Sequence, residues 1–215
     1  MGAPQGHRYD ASLRACRRRA WLVGVDEAGR GPWAGPVVVA AVRLGAKVPR
    51  CLWAARDSKI LSARRREALC ELIRSEAARV ALGWAHPREI ESSNILASTL
   101  QAMRRAALRA AVGVLPRECL VVADGNRRIP GLSLEQVCVV DGDRLSLSVS
   151  CASIVAKVVR DRWMARLDRR YPGYGLARHK GYGTVAHRQA LAWLGPAPVH
   201  RRTFRPILQL GLPRE

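Results

Sequence analysis

Two kinds of apolar pattern alternate along this chain: short unbroken runs closed by acids or glycines, and longer segments in which apolar residues recur every three or four positions. The first suits strands buried on both faces, the second helices with one buried side. Runs over 20–25, 36–44, 80–84, 119–123 and 136–140 therefore predict strands. The segment 63–78, preceded by Ser62, carries Leu69, Leu72 and Ile73 at helical spacing. Asn94 is placed to cap a helix with a stripe of Ile95, Leu96, Thr99, Leu100, Met103, Ala107 and Ala110. A short helical turn is expected over 87–91. A long helix is expected over 148–169, with Val149, Ala152, Ile154, Val155, Val158 and Trp163 inside and Tyr171-Pro172-Gly173 as its stop. A further helix covers 185–194. Strands alternating with helices define an α/β domain, in which ligands gather at the carboxyl ends of the strands. Residues 1–19 are polar and aperiodic and read as a flexible basic arm, leaving 20–215 as one domain.

At 215 residues and 48% hydrophobic content, the chain can bury one sizeable core. Charge narrows the partner. Thirty-seven Lys and Arg against 17 acids give a formal charge of +20, which attracts polyanions through long-range field and counterion release. Nucleic acid leads, with a basic protein lacking that role and a membrane-surface protein as alternatives. Only Lys47, Lys59, Lys157 and Lys180 are lysines; the other 33 basic residues are arginines, so the surviving lysines mark places where a compact ammonium is wanted instead of a planar fork. Six cysteines without metal-type spacing read as free thiols of a reducing compartment. No apolar stretch reaches the roughly 18 residues of a membrane span, and a cytoplasmic monomer with no membrane attachment is expected.

The chemistry sits where the runs end. Asp26 and Glu27 close the first strand, Asp124 closes 119–123, and Asp143 follows 136–140, so a fold that aligns these strands gathers four carboxylates. Clustered anions need protons or cations, and hard oxygen donors suit Mg²⁺ or Mn²⁺. Two such ions about 3.5–4 Å apart serve phosphodiester hydrolysis. Gly29, Arg30 and Gly31 come next, a glycine-rich loop whose backbone can approach a sugar-phosphate closely.

With those residues in place, the sequence resembles ribonuclease HII. Asp26-Glu27-Ala28-Gly29-Arg30-Gly31-Pro32, Asp57-Ser58-Lys59 and Asp124-Gly125-Asn126 stand in the family's order. They are followed by the run from Ala152 to Asp161, His179-Lys180-Gly181-Tyr182 and His200-Arg201-Arg202-Thr203-Phe204. The resemblance spans roughly 20–207. It implies an RNase H-like fold, a mixed central sheet flanked by helices with a helical C-terminal part. It also implies an endonuclease that cuts the RNA strand of RNA/DNA hybrids and the 5′ side of single ribonucleotides embedded in duplex DNA, as in ribonucleotide excision repair, leaving 3′-hydroxyl and 5′-phosphate ends.

By that resemblance Asp26, Glu27, Asp124 and Asp143 hold the metal ions, Gly29, Arg30 and Gly31 read the 2′-hydroxyl, and Tyr182 packs on the sugar at the RNA-to-DNA junction. Ser58, Lys59, Lys180 and Arg30 are expected at phosphates. His179 reads either as a substrate contact or as a satisfied imidazole. Lys157 is expected to pair within its helix, Asp161 to make a structural ion pair, and Asp57 to shape a loop. One departure touches the site: the position before Gly142, commonly lysine in the family, is Asp141, so the choice of Asp143 over Asp141 rests on register. Gln209-Leu210-Gly211-Leu212 loosely resembles a sliding-clamp peptide, but the leading reading is an apolar tail packed on its own domain. The reading from another class is a non-catalytic duplex-binding protein. A different RNase H-fold nuclease, cutting all-DNA duplexes, and ribonuclease HIII, which carries an added N-terminal domain, complete the alternatives.

Overall fold

The computed structural model describes residues 2–55 and 61–209. Five strands, β1 (Trp21–Ala28), β2 (Val37–Leu44), β3 (Arg79–Ala85), β4 (Cys119–Asp124) and β5 (Glu135–Val139), form one sheet in the order β3-β2-β1-β4-β5. The β3-β2-β1 half is antiparallel and the β1-β4-β5 half parallel, which is the expected mixed sheet. Nine α-helices surround it among the described residues: α1 (Gln5–Arg17), α2 (Ala63–Glu76), α3 (Pro87–Ser92), α4 (Ile95–Ala110), α5 (Gly142–Leu145), α6 (Leu147–Arg170), α7 (Leu176–His179), α8 (Val185–Leu194) and α9 (Arg205–Leu208).

Strand alternation divides the core. Val23, Val25, Val37, Val39, Val121 and Ala123 face one way and pack on Ala102, Met103, Ala106, Ala107 and Ala110 of α4. Residues of the opposite parity, among them Ala40, Val42 and Leu44, meet α2 and α6, and Leu22, Leu120 and Val122 join Val149. The first ten residues of α6 are buried on every side, which marks it as the central helix of the fold. Gly24 permits this: a Cβ there would stand 2.1 Å from the Ser148 carbonyl carbon, so the helix rests directly on the β1 backbone. Caps fall where polar residues precede the helical stripes. Asn94 accepts from the Ala97 amide at 2.8 Å and Ser62 from that of Arg65 at 3.3 Å.

The flexible arm expected over 1–19 is instead helix α1. Its Tyr9 and Leu13 pack on the Leu22, Leu120, Val122 and Val149 cluster. Asp10, 1% exposed, accepts from Ser146 Oγ at 2.6 Å and from the Ser148 amide at 2.8 Å, so α1 supplies a second cap to α6. Arg17 and Arg19 both pair with Glu135. The helix is held by partners far along the chain, and local periodicity has no access to these. Trp163, expected inside, is only partly buried and lies against Trp84, while Met164 takes the enclosed position.

Candidate active site

Parallel pairing of β1 with β4 runs to Val25 opposite Ala123, and the next residue on each strand is an acid, so Asp26 and Asp124 stand level on neighbouring strands. β1 does not end there as the adjacent acids suggested; it continues beside β2 to Ala28, and Glu27 pairs opposite Val39. Asp26 is 5% exposed, with Oδ1 accepting from the Glu27 amide at 2.6 Å and the side chain bonded to Ser153 of α6. Burial, followed by the charges of Glu27 and Asp124, pushes the Asp26 carboxyl well above the usual carboxylate range. Glu27 is pushed up by burial as well; Arg30, 3.4 Å away, opposes that, and Asp124 adds to it.

Asp124 Oδ1 accepts from the Gly142 amide at 2.7 Å, which fastens the end of β4 to the one-turn helix α5. Asp143, the next residue, lies in that turn and not at a strand end. It is 4% exposed, and its carbonyl accepts from Ser150 of α6. Asp141, at positive φ (54°), is exposed. The structure thus draws Asp26, Glu27 and Asp124 into one electrostatic neighbourhood and seats buried Asp143 beside it. Among the described residues no three acidic, His or Cys side chains are drawn into a finished cation cage. The chemistry of the acids fits a hard divalent cation: clustered oxygen donors, of which Asp26 and Glu27 are pushed up chiefly by burial.

The glycine loop is fixed from behind. Gly29 adopts φ +100°, and a Cβ there would meet Arg160 Nε at 1.9 Å, so glycine is required twice over. Arg201, fully buried, donates to the carbonyls of Gly29 at 2.6 Å, Arg30 at 2.8 Å and Gly35 at 2.8 and 3.0 Å. Arg160, 1% exposed, donates to Pro36 O at 3.1 Å, Ala34 O at 3.3 Å and Lys180 O at 2.9 Å. Burial, then the neighbouring Arg160, brings the Arg201 guanidinium down to about 9. These arginines organise two loops through backbone carbonyls. Sequence reasoning gave them no such role, because among 33 arginines nothing in spacing marks Arg160 and Arg201.

Tyr182, 48% exposed, reaches the glycine loop: its Cε1 lies 3.8 Å from where a Gly31 Cβ would be. The Trp33 amide donates to Gly181 O at 2.8 Å, binding the Lys180 to Tyr182 segment to the same loop. Lys180 is partly exposed at φ 54°. His179 is the satisfied imidazole, bonded to Tyr174 O at 2.7 Å and to the Gly181 amide at 3.2 Å. Lys157 and Asp161 pair with each other along α6 at 2.8 Å. Ser58 and Lys59, with Asp57, lie outside the described residues, as does the clamp-like segment beyond Gln209.

Among the described residues no helix is long and apolar enough to cross a membrane. The Ribonuclease HII family model matches residues 23–207. A ribonuclease HII of Albidiferax ferrireducens is 51% identical over 189 residues, covering 88% of each chain. The RNase HII solved in complex with PCNA from Archaeoglobus fulgidus superposes with a TM-score of 0.71 at 27% identity, over 86% of this chain and 95% of that one. Bst-RNase HIII in complex with Mn²⁺ shares the fold at TM-score 0.76 and 18% identity, over 93% of this chain and 72% of that one. With an RNase H-like fold, acids level on neighbouring parallel strands and this likeness over most of its length, the chain belongs to the ribonuclease HII family, hydrolases that cut the RNA of RNA/DNA hybrids.

Proposed function

We propose that this enzyme, beyond cutting the RNA of hybrids, incises duplex DNA on the 5′ side of a single embedded ribonucleotide, leaving 3′-hydroxyl and 5′-phosphate ends. The observation that carries this is the approach of the Tyr182 ring to the Gly29-Arg30-Gly31 loop, which sets a glycine backbone and an aromatic ring side by side near the acids. Backbone amides and carbonyls at that distance suit a 2′-hydroxyl, the group that separates RNA from DNA at a single position. An exposed ring gives the adjoining sugar an apolar face.

Asp26, Glu27, Asp124 and Asp143 are the residues that hold divalent ions, Mg²⁺ or Mn²⁺. When bound, two such ions lower the pKa of water and neutralise the leaving oxygen in phosphodiester hydrolysis. The protein's own part is positional. Ser153 and the Glu27 amide orient Asp26, the Gly142 amide orients Asp124, and Ser150 holds the Asp143 carbonyl. Arg30 and Lys180 meet substrate phosphates, and the charge of +20 retains the duplex. We read the protein as a cytoplasmic monomer. We also propose a sliding clamp as a partner, supported by the A. fulgidus complex with PCNA and by Gln209-Leu210-Gly211-Leu212.

Purified protein incubated with a duplex carrying one ribonucleotide tests this directly. Incision 5′ of that ribonucleotide, only when Mg²⁺ or Mn²⁺ is supplied, is the expected result. Cleavage of hybrids with none of the single-ribonucleotide duplex overturns it, and cleavage of all-DNA duplexes overturns it differently.

A further inference from the structure

Three imidazoles, His179, His187 and His200, lie together behind the Tyr182 loop. His187 and His200 are 0% and 1% exposed. The His179 and His187 rings stack at 4.4 Å between centroids, with an angle of 20° between their planes. Among the described residues no carboxylate bonds these rings; their hydrogen-bond partners are the backbone groups of Tyr174, Gly181, Tyr182 and Ala197 and one another. His187 Nδ1 lies 2.9 Å from Tyr182 O, His187 Nε2 lies 3.1 Å from His200 Nε2, and the Ala197 amide lies 3.0 Å from His200 Nδ1.

Those partners leave one arrangement of protons. Tyr182 O only accepts, so His187 Nδ1 carries a hydrogen and Nε2 of the neutral ring is bare. His200 Nε2 therefore carries the hydrogen between the two rings, and its Nδ1 is left to accept from the Ala197 amide. The 3.1 Å approach of His200 Nδ1 to Ala197 O is then a contact without a hydrogen between them. His179 is fixed likewise, accepting from the Gly181 amide and donating to Tyr174 O.

We infer that His187 is a positioning residue for substrate recognition: a one-way chain from the Ala197 amide through His200 and His187 ends on the Tyr182 carbonyl and holds the Tyr182 ring beside Gly31. Its functional half rests on the reading of Tyr182 proposed above. The Thr184 amide also donates to Tyr182 O, at 2.8 Å, so loss of His187 leaves that carbonyl with one donor of two in a segment otherwise held at Lys180 O by Arg160 and at Gly181 O by the Trp33 amide.

Two substitutions of similar severity separate this role from plain packing. In His187→Asn the amide nitrogen takes the place of Nδ1 and still donates to Tyr182 O. In His187→Gln the amide oxygen takes the place of Nε2 and accepts from His200, but Tyr182 O loses its donor. The expected result is a KM for the single-ribonucleotide duplex about tenfold higher in the Gln variant than in the Asn variant, with a smaller difference in kcat. Long-range ¹H–¹⁵N spectra of the parent protein are expected to show His187 as the Nδ1–H tautomer and His200 as the Nε2–H tautomer. The opposite tautomers, or equal KM for the two variants, overturn the inference. Tyr182→Ala serves as the reference. If it incises as the parent does, the reading of Tyr182 falls and the recognition role with it; if it is impaired while the two His187 variants match, the positioning role alone falls.

Discussion

Gly24→Ala probes the contact that aligns α6 with the acids. The added Cβ would meet the Ser148 carbonyl carbon at 2.1 Å, its oxygen at 2.2 Å and the Val149 nitrogen at 2.4 Å, where ordinary contact begins near 3.4 Å. All three are backbone atoms, so no rotamer relieves the clash. Helix and strand must separate by roughly 1.3 Å, and overpacking of that kind costs about 3 kcal/mol. In a chain of this size that lowers Tm by about 6–12 °C. The same movement carries Ser153 away from Asp26 and Ser150 away from the Asp143 carbonyl. A displacement of about 1 Å at a reacting centre can reduce turnover about a hundredfold, so cleavage well below Tm is expected to fall at least about tenfold.

Gly83→Ala is the matched control: its Cβ would meet Ala102 O at 2.2 Å, between β3 and α4. It should destabilise comparably while leaving the folded enzyme's turnover near the parent value. Thermal and urea unfolding, with cleavage assayed at low temperature, decide the matter. A Gly24→Ala protein within about 0.5 kcal/mol of the parent, or one that cuts at the parent rate, refutes the argument.

Asp124→Asn should abolish cleavage while leaving duplex affinity intact or higher, because it removes an anion beside the bound phosphates; normal cutting in a gel assay would remove Asp124 from the metal site. Asp10→Asn turns an amide toward the Ser146 hydroxyl and the Ser148 N–H, and should lower the urea unfolding free energy by about 2–3 kcal/mol; an unchanged midpoint would mean that α1 caps nothing. Burial drives His187 and His200 down to about 4 from an ordinary 6.5, so the unfolded chain takes up protons first. Their contribution is complete above about pH 6.5 and drains as pH falls toward 4, on the order of 3 kcal/mol for the first imidazole. Urea midpoints of the parent that stay flat across that window, or that fall just as steeply in a His187→Asn variant, would contradict the neutral cluster.

Where periodicity and local chemistry act, the sequence was sufficient. β2, α4 and α8 lie within a residue or so of their predicted bounds, Ser62 and Asn94 cap as their positions imply, and the acids stand where apolar runs expire. These features follow from neighbours along the chain, since side-chain alternation and orphan helix amides are local matters. Tertiary structure decided the rest. Residues 5–17 form a helix because Ser146, Ser148 and Glu135 wait for them more than a hundred residues away. Asp143 lies in a turn of helix because the Gly142 amide is drawn to Asp124. The guanidiniums of Arg160 and Arg201 and the imidazole chain join segments that the sequence places far apart. Burial and hydrogen-bond direction belong to the folded arrangement alone, and they turn ordinary arginines and histidines into the frame of a recognition loop.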